Sequence, residues 1–297
     1  MRRAQPIKRF TPVFSLTPIQ TRFLLMQTRT ANGRRRGSRL SQPRRNRLIG
    51  IKPFKTRVSK TVGFEYDQFM ALVVKTFIGI GFQIGFFGAL AFLPIGTTDF
   101  PAAILWLQVF GGAVLLSASY LLVARPAALE ARMRAGREAQ TPADRLALGL
   151  MSLALLLPVA FASRDVFVWQ LLPAPSPLFQ AFGMAIFLLG FVIIVMSMLQ
   201  NEYAAPTVHI QEAAGHKLAD GGIYGHVRHP MYLGFLLFTA GTTLWLGSIA
   251  ATLFAAICLI ATTIYRIGIE EATLCKELPG YVAYTEKVNT RYLPFIY

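Results

Sequence analysis

The chain has 297 residues, 54% of them hydrophobic, and a formal net charge of +16. Residues 1–60 hold 17 of the 30 basic residues and no acidic residue, so the rest of the chain is close to neutral. Long uncharged runs follow the basic segment and exclude an ordinary soluble domain. Because the positive charge is confined to that segment, it does not indicate a folded nucleic-acid-binding domain. Cys258 and Cys275 lie outside any Cys-x-x-Cys spacing, which excludes a disulfide framework and a thiolate metal site.

The basic N-terminal segment is rich in Arg, Thr, Ser and Pro and shows no sustained apolar period. Such a segment cannot bury enough surface to fold alone, so we predict a disordered tail over residues 1–66. Its lack of acidic residues also resembles a transit peptide, and its charge would suit anionic lipid. A further alternative is that translation starts at Met70. We expect no specific nucleic-acid partner.

Four apolar runs follow the tail and predict transmembrane helices, since about 20 apolar residues cross the hydrocarbon core. They are Ala71–Leu93, Ile104–Ala124, Leu146–Ala162 and Leu178–Leu199. The link of residues 125–145 carries five arginines, whereas the other two links carry at most one basic residue. The positive-inside rule therefore places this link and the N-terminus in the cytoplasm. We predict four membrane helices over residues 67–199 of a multi-pass protein in a bacterial inner membrane.

The next apolar run, residues 232–265, has 34 residues without a charge. As one helix it would reach roughly 50 Å, which exceeds a hydrocarbon core of about 30 Å. Gly241, Gly247 and Ser248 near its middle offer a place to reverse direction. We predict a helical hairpin whose two ends emerge on the cytoplasmic side, with one long tilted helix as the alternative. The predicted fold class is an all-α, polytopic helical bundle with a cytoplasmic-side pocket in residues 200–297.

Charged and aromatic side chains concentrate at the two ends of the predicted hairpin. All four histidines lie between residues 209 and 229, and Arg228, His229 and Tyr232 flank the start of the hairpin. Arg266 follows its end, ahead of Glu270 and Glu271. Ionisable groups at a membrane margin are costly unless they are paired or functional. This density predicts a site between the two ends.

The two ends of the hairpin differ in charge. Pro230 suits a first helical turn, whose free N–H groups together with Arg228 would receive a carboxylate or phosphate. Glu270 and Glu271 stand at the opposite pole, where Arg266, four residues earlier on the same helical face, is the expected counter-charge. Such a site suits a zwitterionic ligand with additional positive charge, and S-adenosylmethionine has that layout.

The stretch Gly222-x-Tyr-x-x-x-Arg-His-Pro-x-Tyr-x-Gly234, followed after the hairpin by Glu270-Glu271, resembles the isoprenylcysteine carboxyl methyltransferase family and the related phospholipid methyltransferases. The combined pattern covers about 80 residues and is a specific indicator of this family, whereas Arg-His-Pro alone would be a weak one. The resemblance implies S-adenosyl-L-methionine as cofactor, and Arg266 and Glu270 as the residues that carry catalysis, with Arg266 at the methyl-acceptor position. The cofactor-binding residues that it implies are His216, Lys217, Leu218, Ala219, Tyr224, Arg228, His229, Pro230, Met231, Tyr232, Glu270 and Glu271.

The resemblance makes methyl transfer to a lipidic or small-molecule acceptor the favoured function. A carboxylate acceptor needs no general base and Arg266 would hold it, whereas a phospholipid amine or a thiol would have to lose a proton. Tyr281 and Tyr284 in the closing segment are expected to pack rather than react. Two other classes remain open: a His/Glu metalloenzyme and a non-enzymatic membrane protein such as a transporter. Because the histidine spacings match no helical pair, we expect no metal.

Overall fold

The structure is a computed structural model that describes residues 55–126, 129–130, 133, 142–201 and 218–293, with only the backbone given for residues 55–65. These residues form helices, turns and connecting segments, without a strand in the described ranges. Of the disordered tail predicted over residues 1–66, residues 1–54 lie outside these ranges, whereas residues 55–66 form the beginning of a helix instead.

In the ranges that the structure describes, four long helices precede a hairpin and a short last helix. Helix α1 spans Lys55–Phe92, α2 spans Pro101–Ala124, α3 spans Pro142–Arg164 with a π-helical turn at Asp165–Trp169, and α4 spans Pro177–Gln200. The hairpin consists of α5, Pro230–Trp245, and α6, Ile249–Glu277, and α7 spans Tyr281–Lys287. Proline begins α2, α4 and α5, because its missing N–H would have no partner in a first turn.

Within the described residues, five helices are long and apolar enough to cross a membrane: α1 from Tyr66 onward, α2, α3 with its π-helical turn, α4 and α6. Helix α5 has 16 residues, so its length of about 24 Å falls short of the hydrocarbon thickness. Large apolar side chains such as Phe82, Leu116 and Val123 point outward, as lipid contact requires. The predicted fold class, an all-α multi-pass membrane protein, is confirmed.

The reversal predicted near residues 241–248 is present as a tight turn between α5 and α6. Gly247 adopts a φ of +97°, which a residue with a side chain rarely takes. The Ser248 hydroxyl accepts a hydrogen bond from the backbone N–H of Ala251 at 2.9 Å and donates one to Asp165 Oδ2 at 2.6 Å. The turn therefore packs against the far end of α3. The start of α5 and the second half of α6 lie at the opposite end of the bundle, as the hairpin prediction requires.

Glycines allow α4 and α5 to pack backbone against backbone. On α4, Gly183 faces Gly241 of α5 and Gly190 faces Gly234. Along each helix the two glycines are seven residues apart. A Cβ atom added at Gly190 would lie 2.7 Å from the carbonyl oxygen of Gly234, and one at Gly241 would lie 2.7 Å from that of Gly183. Small residues give membrane helices the close van der Waals contact that lipid cannot replace. This contact holds the short α5 against a full-length span.

Two apolar clusters pack the hairpin against the other helices of the bundle. One, on the side of the turn, contains Trp106, Phe187 and Phe238, whose rings meet edge-on or tilted. The other joins α3, α5, α6 and the C-terminal segment through residues that include Tyr232 and Tyr292. The second cluster fixes the ring of Tyr232 and leaves its hydroxyl at the polar end of the bundle.

Candidate active site

The described part of the predicted site lies at one end of the bundle, where the start of α5, the second half of α6 and the C-terminal segment meet. All eleven sequence-predicted residues within the described ranges are buried or half-buried there, namely Leu218, Ala219, Tyr224, Arg228, His229, Pro230, Met231, Tyr232, Arg266, Glu270 and Glu271. His216 and Lys217 lie outside the described residues. Their assignment therefore stays a prediction.

Tyr232 and Glu270 link the two helices of the hairpin. The Tyr232 hydroxyl donates a hydrogen bond to Glu270 Oε2 at 2.5 Å. The imidazole of His229 stacks on the Tyr232 ring with 5.7 Å between centroids, and its Nδ1 lies 4.0 Å from the same carboxylate oxygen. The Glu270 side chain keeps 25% of its surface exposed. A carboxylate is thus held in place by a phenol and still reaches the surface of the site.

Glu271 is the centre of a cluster of basic groups. Its carboxylate lies 2.8 Å from Arg228 Nε, 3.2 Å from His229 Nε2 and 3.2 Å from Arg291 Nε. Only 12% of the Glu271 side chain is exposed, so its charge-assisted contacts with the buried Arg228 and His229 are sheltered from water, whereas the Arg291 side chain is 44% exposed. Glu271 joins α6 to both the start of α5 and the C-terminal segment.

Arg228 makes its contacts inside the protein. Its Nη1 donates to the carbonyl oxygens of Thr285 and Val288 at 3.2 and 3.1 Å, next to the ion pair with Glu271. These carbonyls lie near the end of α7, where carbonyl groups lack helical partners. The expectation was a guanidinium free to receive an external anion. The structure instead shows Arg228 holding the C-terminal segment against α6.

The backbone reinforces this attachment. The N–H groups of Arg228 and His229 donate to the carbonyl oxygens of Thr290 and Arg291 at 3.0 and 2.9 Å. These two N–H groups lie just before the first turn of α5. The sequence analysis expected the N–H groups of that first turn to be open to a ligand. Sequence reasoning missed the role of residues 285–291, because carbonyl acceptors leave no residue-type signal.

Tyr224 lies in a short 3₁₀ turn, Gly222–Gly225, below the end of α4. Its hydroxyl donates to the carbonyl of Ser197 at 3.4 Å, and its own carbonyl receives the Tyr284 hydroxyl at 2.6 Å. Gln200 Oε1 accepts the N–H of Ile223 at 2.8 Å. Burial is the main cause that raises the pKa of Tyr284 above its ordinary value, so this phenol stays protonated as a donor. Helix α4 and helix α7 thus hold Tyr224 from two sides.

Arg266, predicted at the methyl-acceptor position, is paired with a residue that the sequence analysis did not single out. It forms a salt bridge with Asp144 in the first turn of α3, and both side chains are almost fully buried. The expected partner was Glu270, which lies near enough to interact electrostatically with Arg266. An acidic residue directly before an apolar span was the available signal for Asp144, since carboxylates favour helix N-termini and buried charges need partners.

Helix α7 closes the site with an apolar cluster of Leu218, Leu274, Leu278, Tyr281, Tyr284 and Val288. Gly280 precedes the helix with a φ of +85°, which lets the chain turn tightly after α6. Within the described ranges, no three His, Cys, Asp or Glu side chains are grouped so that they could hold a metal ion.

Fold and site define a multi-pass membrane protein with a cluster of charged and aromatic side chains at the end of a helical hairpin where α5 begins. Residues 178–278, from the start of α4 to just after α6, match the family model for phospholipid methyltransferase. Over 74 residues the chain is 39% identical to the protein-S-isoprenylcysteine O-methyltransferase of Schizosaccharomyces pombe, an alignment that spans 25% of this chain and 31% of that protein. These matches confirm the resemblance stated from the motif, and the alignment spans about a third of the curated relative's length.

A solved structure is similar in outline. It is that of the eukaryotic intramembrane Ras methyltransferase ICMT (isoprenylcysteine carboxyl methyltransferase), with 18% sequence identity and a TM-score of 0.44 over 83% of this chain and 88% of that chain.

Proposed function

We propose that the protein is an S-adenosyl-L-methionine-dependent methyltransferase that acts on a lipidic acceptor at the cytoplasmic margin of a bacterial inner membrane. The observation that carries the proposal is the contact between Tyr232 and Glu270, with His229 stacked beside it. It joins the two halves of the family motif at one point in space. The family match over residues 178–278 supports the same reading.

The donor set fits the proposed cofactor. S-adenosylmethionine carries a sulfonium and an ammonium, and the partly exposed Glu270 offers a carboxylate to positive charge. The buried hydroxyl of Tyr281 has no hydrogen-bond partner among the described residues, so the site retains an unused polar atom. Leu218 and Ala219, at the edge of the site, supply apolar and backbone surface.

The cofactor supplies a methyl group that its positive sulfur already activates. What remains for the protein is to align the two reactants and keep water out. Tyr232 and His229 hold Glu270 in one orientation, while Glu271 with Arg228 and Arg291 fastens the C-terminal segment over the site. The spans α1–α4 leave apolar side chains facing outward, which suits an acceptor that enters from lipid.

The favoured acceptor is a carboxylate bound by Arg266, as in a carboxyl O-methyltransferase. One observation favours a second candidate, which is methyl transfer to a phospholipid amine or a thiol. Because Asp144 already neutralises Arg266, an acceptor carboxylate would have to share that guanidinium with a buried aspartate. An amine or a thiol acceptor does not need that guanidinium and meets no such competition.

Membranes that contain the full chain, incubated with methyl-labelled cofactor, test both candidates. We expect label in a lipidic fraction, and its release by mild base as volatile methanol identifies a methyl ester, whereas label that stays non-volatile after base treatment identifies an amine or thiol product. Glu270→Gln should lose most of the transfer, since the carboxylate held by Tyr232 becomes neutral. Glu277→Gln, at the exposed end of the same helix, is the matched control and should transfer like wild type. Equal labelling by wild type and Glu270→Gln contradicts the proposal.

A further inference from the structure

Tyr281, the first residue of α7, is a buried phenol whose hydroxyl has no hydrogen-bond partner among the described residues. Its side chain is 4% exposed. Leaving a buried hydroxyl without a partner destabilises a protein by about 1–3 kcal/mol. Native proteins therefore pair nearly all such groups, and an unpaired one calls for an explanation.

The neighbouring tyrosine shows that a buried hydroxyl in α7 can have a hydrogen-bond partner. Tyr284, one turn later, is equally buried, and its hydroxyl donates to the carbonyl oxygen of Tyr224 at 2.6 Å. The two rings are in contact, with 5.6 Å between centroids. Packing in the same apolar cluster thus explains why both rings are buried. The hydrogen bond explains why the Tyr284 hydroxyl can be buried as well, but nothing comparable accounts for the burial of the Tyr281 hydroxyl.

Charged groups of the site act on the Tyr281 phenol. Burial is the largest cause that raises the pKa of Tyr281, and the carboxylates of Glu271 and Glu270 raise it further while Arg228 acts in the opposite sense. The phenol is therefore protonated at neutral pH and can both donate and accept a hydrogen bond. Tyr281 also lies close enough to Tyr232 to interact with it electrostatically.

Tyr281 has neighbours in two groups of residues assigned to the cofactor from separate parts of the chain. Leu218 packs in the apolar cluster of α7, and the two glutamates lie on α6. A polar ligand between these groups would pass the Tyr281 hydroxyl. The ring of Tyr281 would form an apolar wall on the same side.

We propose that the Tyr281 hydroxyl forms a hydrogen bond to the bound methyl donor, S-adenosyl-L-methionine, and that α7 is part of the wall of the cofactor pocket. This assignment rests on the function proposed above. It gives the closing segment a binding role in addition to the packing role expected from its sequence.

Tyr281→Phe in the full-length, detergent-solubilised protein tests the assignment without a change in shape. Calorimetric titration with S-adenosylmethionine and with S-adenosylhomocysteine should show dissociation constants about five- to tenfold higher than wild type, the loss of one hydrogen bond. The thermal midpoint without ligand should stay equal or rise, because the variant removes an unpaired buried hydroxyl. A purely structural tyrosine would not give this combination.

Tyr284→Phe is the matched control. It breaks the hydrogen bond to the Tyr224 carbonyl and should lower the ligand-free thermal midpoint. The assignment is overturned if wild type and Tyr281→Phe bind both ligands equally, or if Tyr281→Phe lowers the midpoint as Tyr284→Phe does. A wild-type protein that binds neither ligand overturns the proposed function itself, and the wild-type titration distinguishes that result from the failure of the Tyr281 assignment alone.

Discussion

Asp144, in the first turn of α3, and Arg266, in the middle of α6, form an ion pair whose side chains are 4% and 2% exposed. The pair joins a membrane span to the second helix of the hairpin. The positive end of the α3 dipole adds to the stabilisation of the Asp144 carboxylate. Because charge in such surroundings is costly without a partner, each residue depends on the other.

Replacement of Asp144 by Asn should destabilise the protein strongly. It leaves the Arg266 guanidinium buried without its carboxylate, and the loss of one partner of a buried pair costs about 3–5 kcal/mol. Thermal unfolding in detergent measures the effect. The double variant Asp144→Asn with Arg266→Gln should lose less than the sum of the single variants. Asp99→Asn, an exposed aspartate in the link between α1 and α2, is the control and should unfold like wild type.

Replacement of Glu271 by Gln should release the C-terminal segment. The variant keeps the side-chain shape but removes the charge shared by Arg228 and Arg291, of which Arg228 is buried. We expect faster hydrogen exchange over residues 285–291 and a loss of stability of about 3 kcal/mol. Glu277→Gln, on the exposed end of α6, should leave exchange in that segment unchanged. Equal exchange in both variants would show that the backbone contacts alone hold the segment.

Replacement of Gly190 by Ala should separate α4 from α5. The added Cβ atom would lie 2.7 Å from the Gly234 carbonyl oxygen, and a rigid backbone cannot retreat as a side chain can. We expect destabilisation of at least about 1–3 kcal/mol by thermal unfolding. Gly149→Ala on α3 is the control, since a Cβ atom there would meet no described atom within 4 Å. Alanine is also the better helix former, so the control should be neutral or slightly more stable.

Ionisation of Tyr292 should weaken the fold at alkaline pH. Burial raises the pKa of this phenol from 10.0 to about 12, with the nearby Thr263 acting in the opposite sense. Its contribution is therefore fully present below pH 10 and is lost as pH rises toward 12, because the unfolded chain ionises first. At pH 11 the loss is about 1 kcal/mol. Chemical unfolding at pH 9 and pH 11 checks it: Tyr292→Phe should show a smaller drop than wild type between the two, and an identical drop would contradict the assignment.

Much of the architecture was predictable from local sequence. Apolar length alone located the four spans, because about 20 uncharged residues have few alternatives to crossing the hydrocarbon core. The hairpin followed from the excess length of residues 232–265 and the glycines near their middle. The glycines at a spacing of seven in α4 and α5 are visible in the sequence, but either helix considered alone gives no physical reason for them.

The charge partners were not predictable in the same way. The sequence paired Arg266 with Glu270 because they are four residues apart, but the structure pairs it with Asp144, which lies more than a hundred residues earlier. Likewise, the sequence suggested that Arg228 would bind an anionic ligand. In the structure it binds the Glu271 carboxylate and the carbonyl oxygens of Thr285 and Val288.

The sequence by itself therefore determined the membrane class of the protein, the order of its helices and the stretch that carries its chemistry. Each of these depends on composition and spacing within a single segment. Only the tertiary structure decided which carboxylate faces which cation, and that the Tyr281 hydroxyl has no hydrogen-bond partner in the described part of the chain while the Tyr284 hydroxyl has one. Those outcomes depend on how far each helix is rotated and translated against its neighbours, and close packing between distant segments sets that geometry.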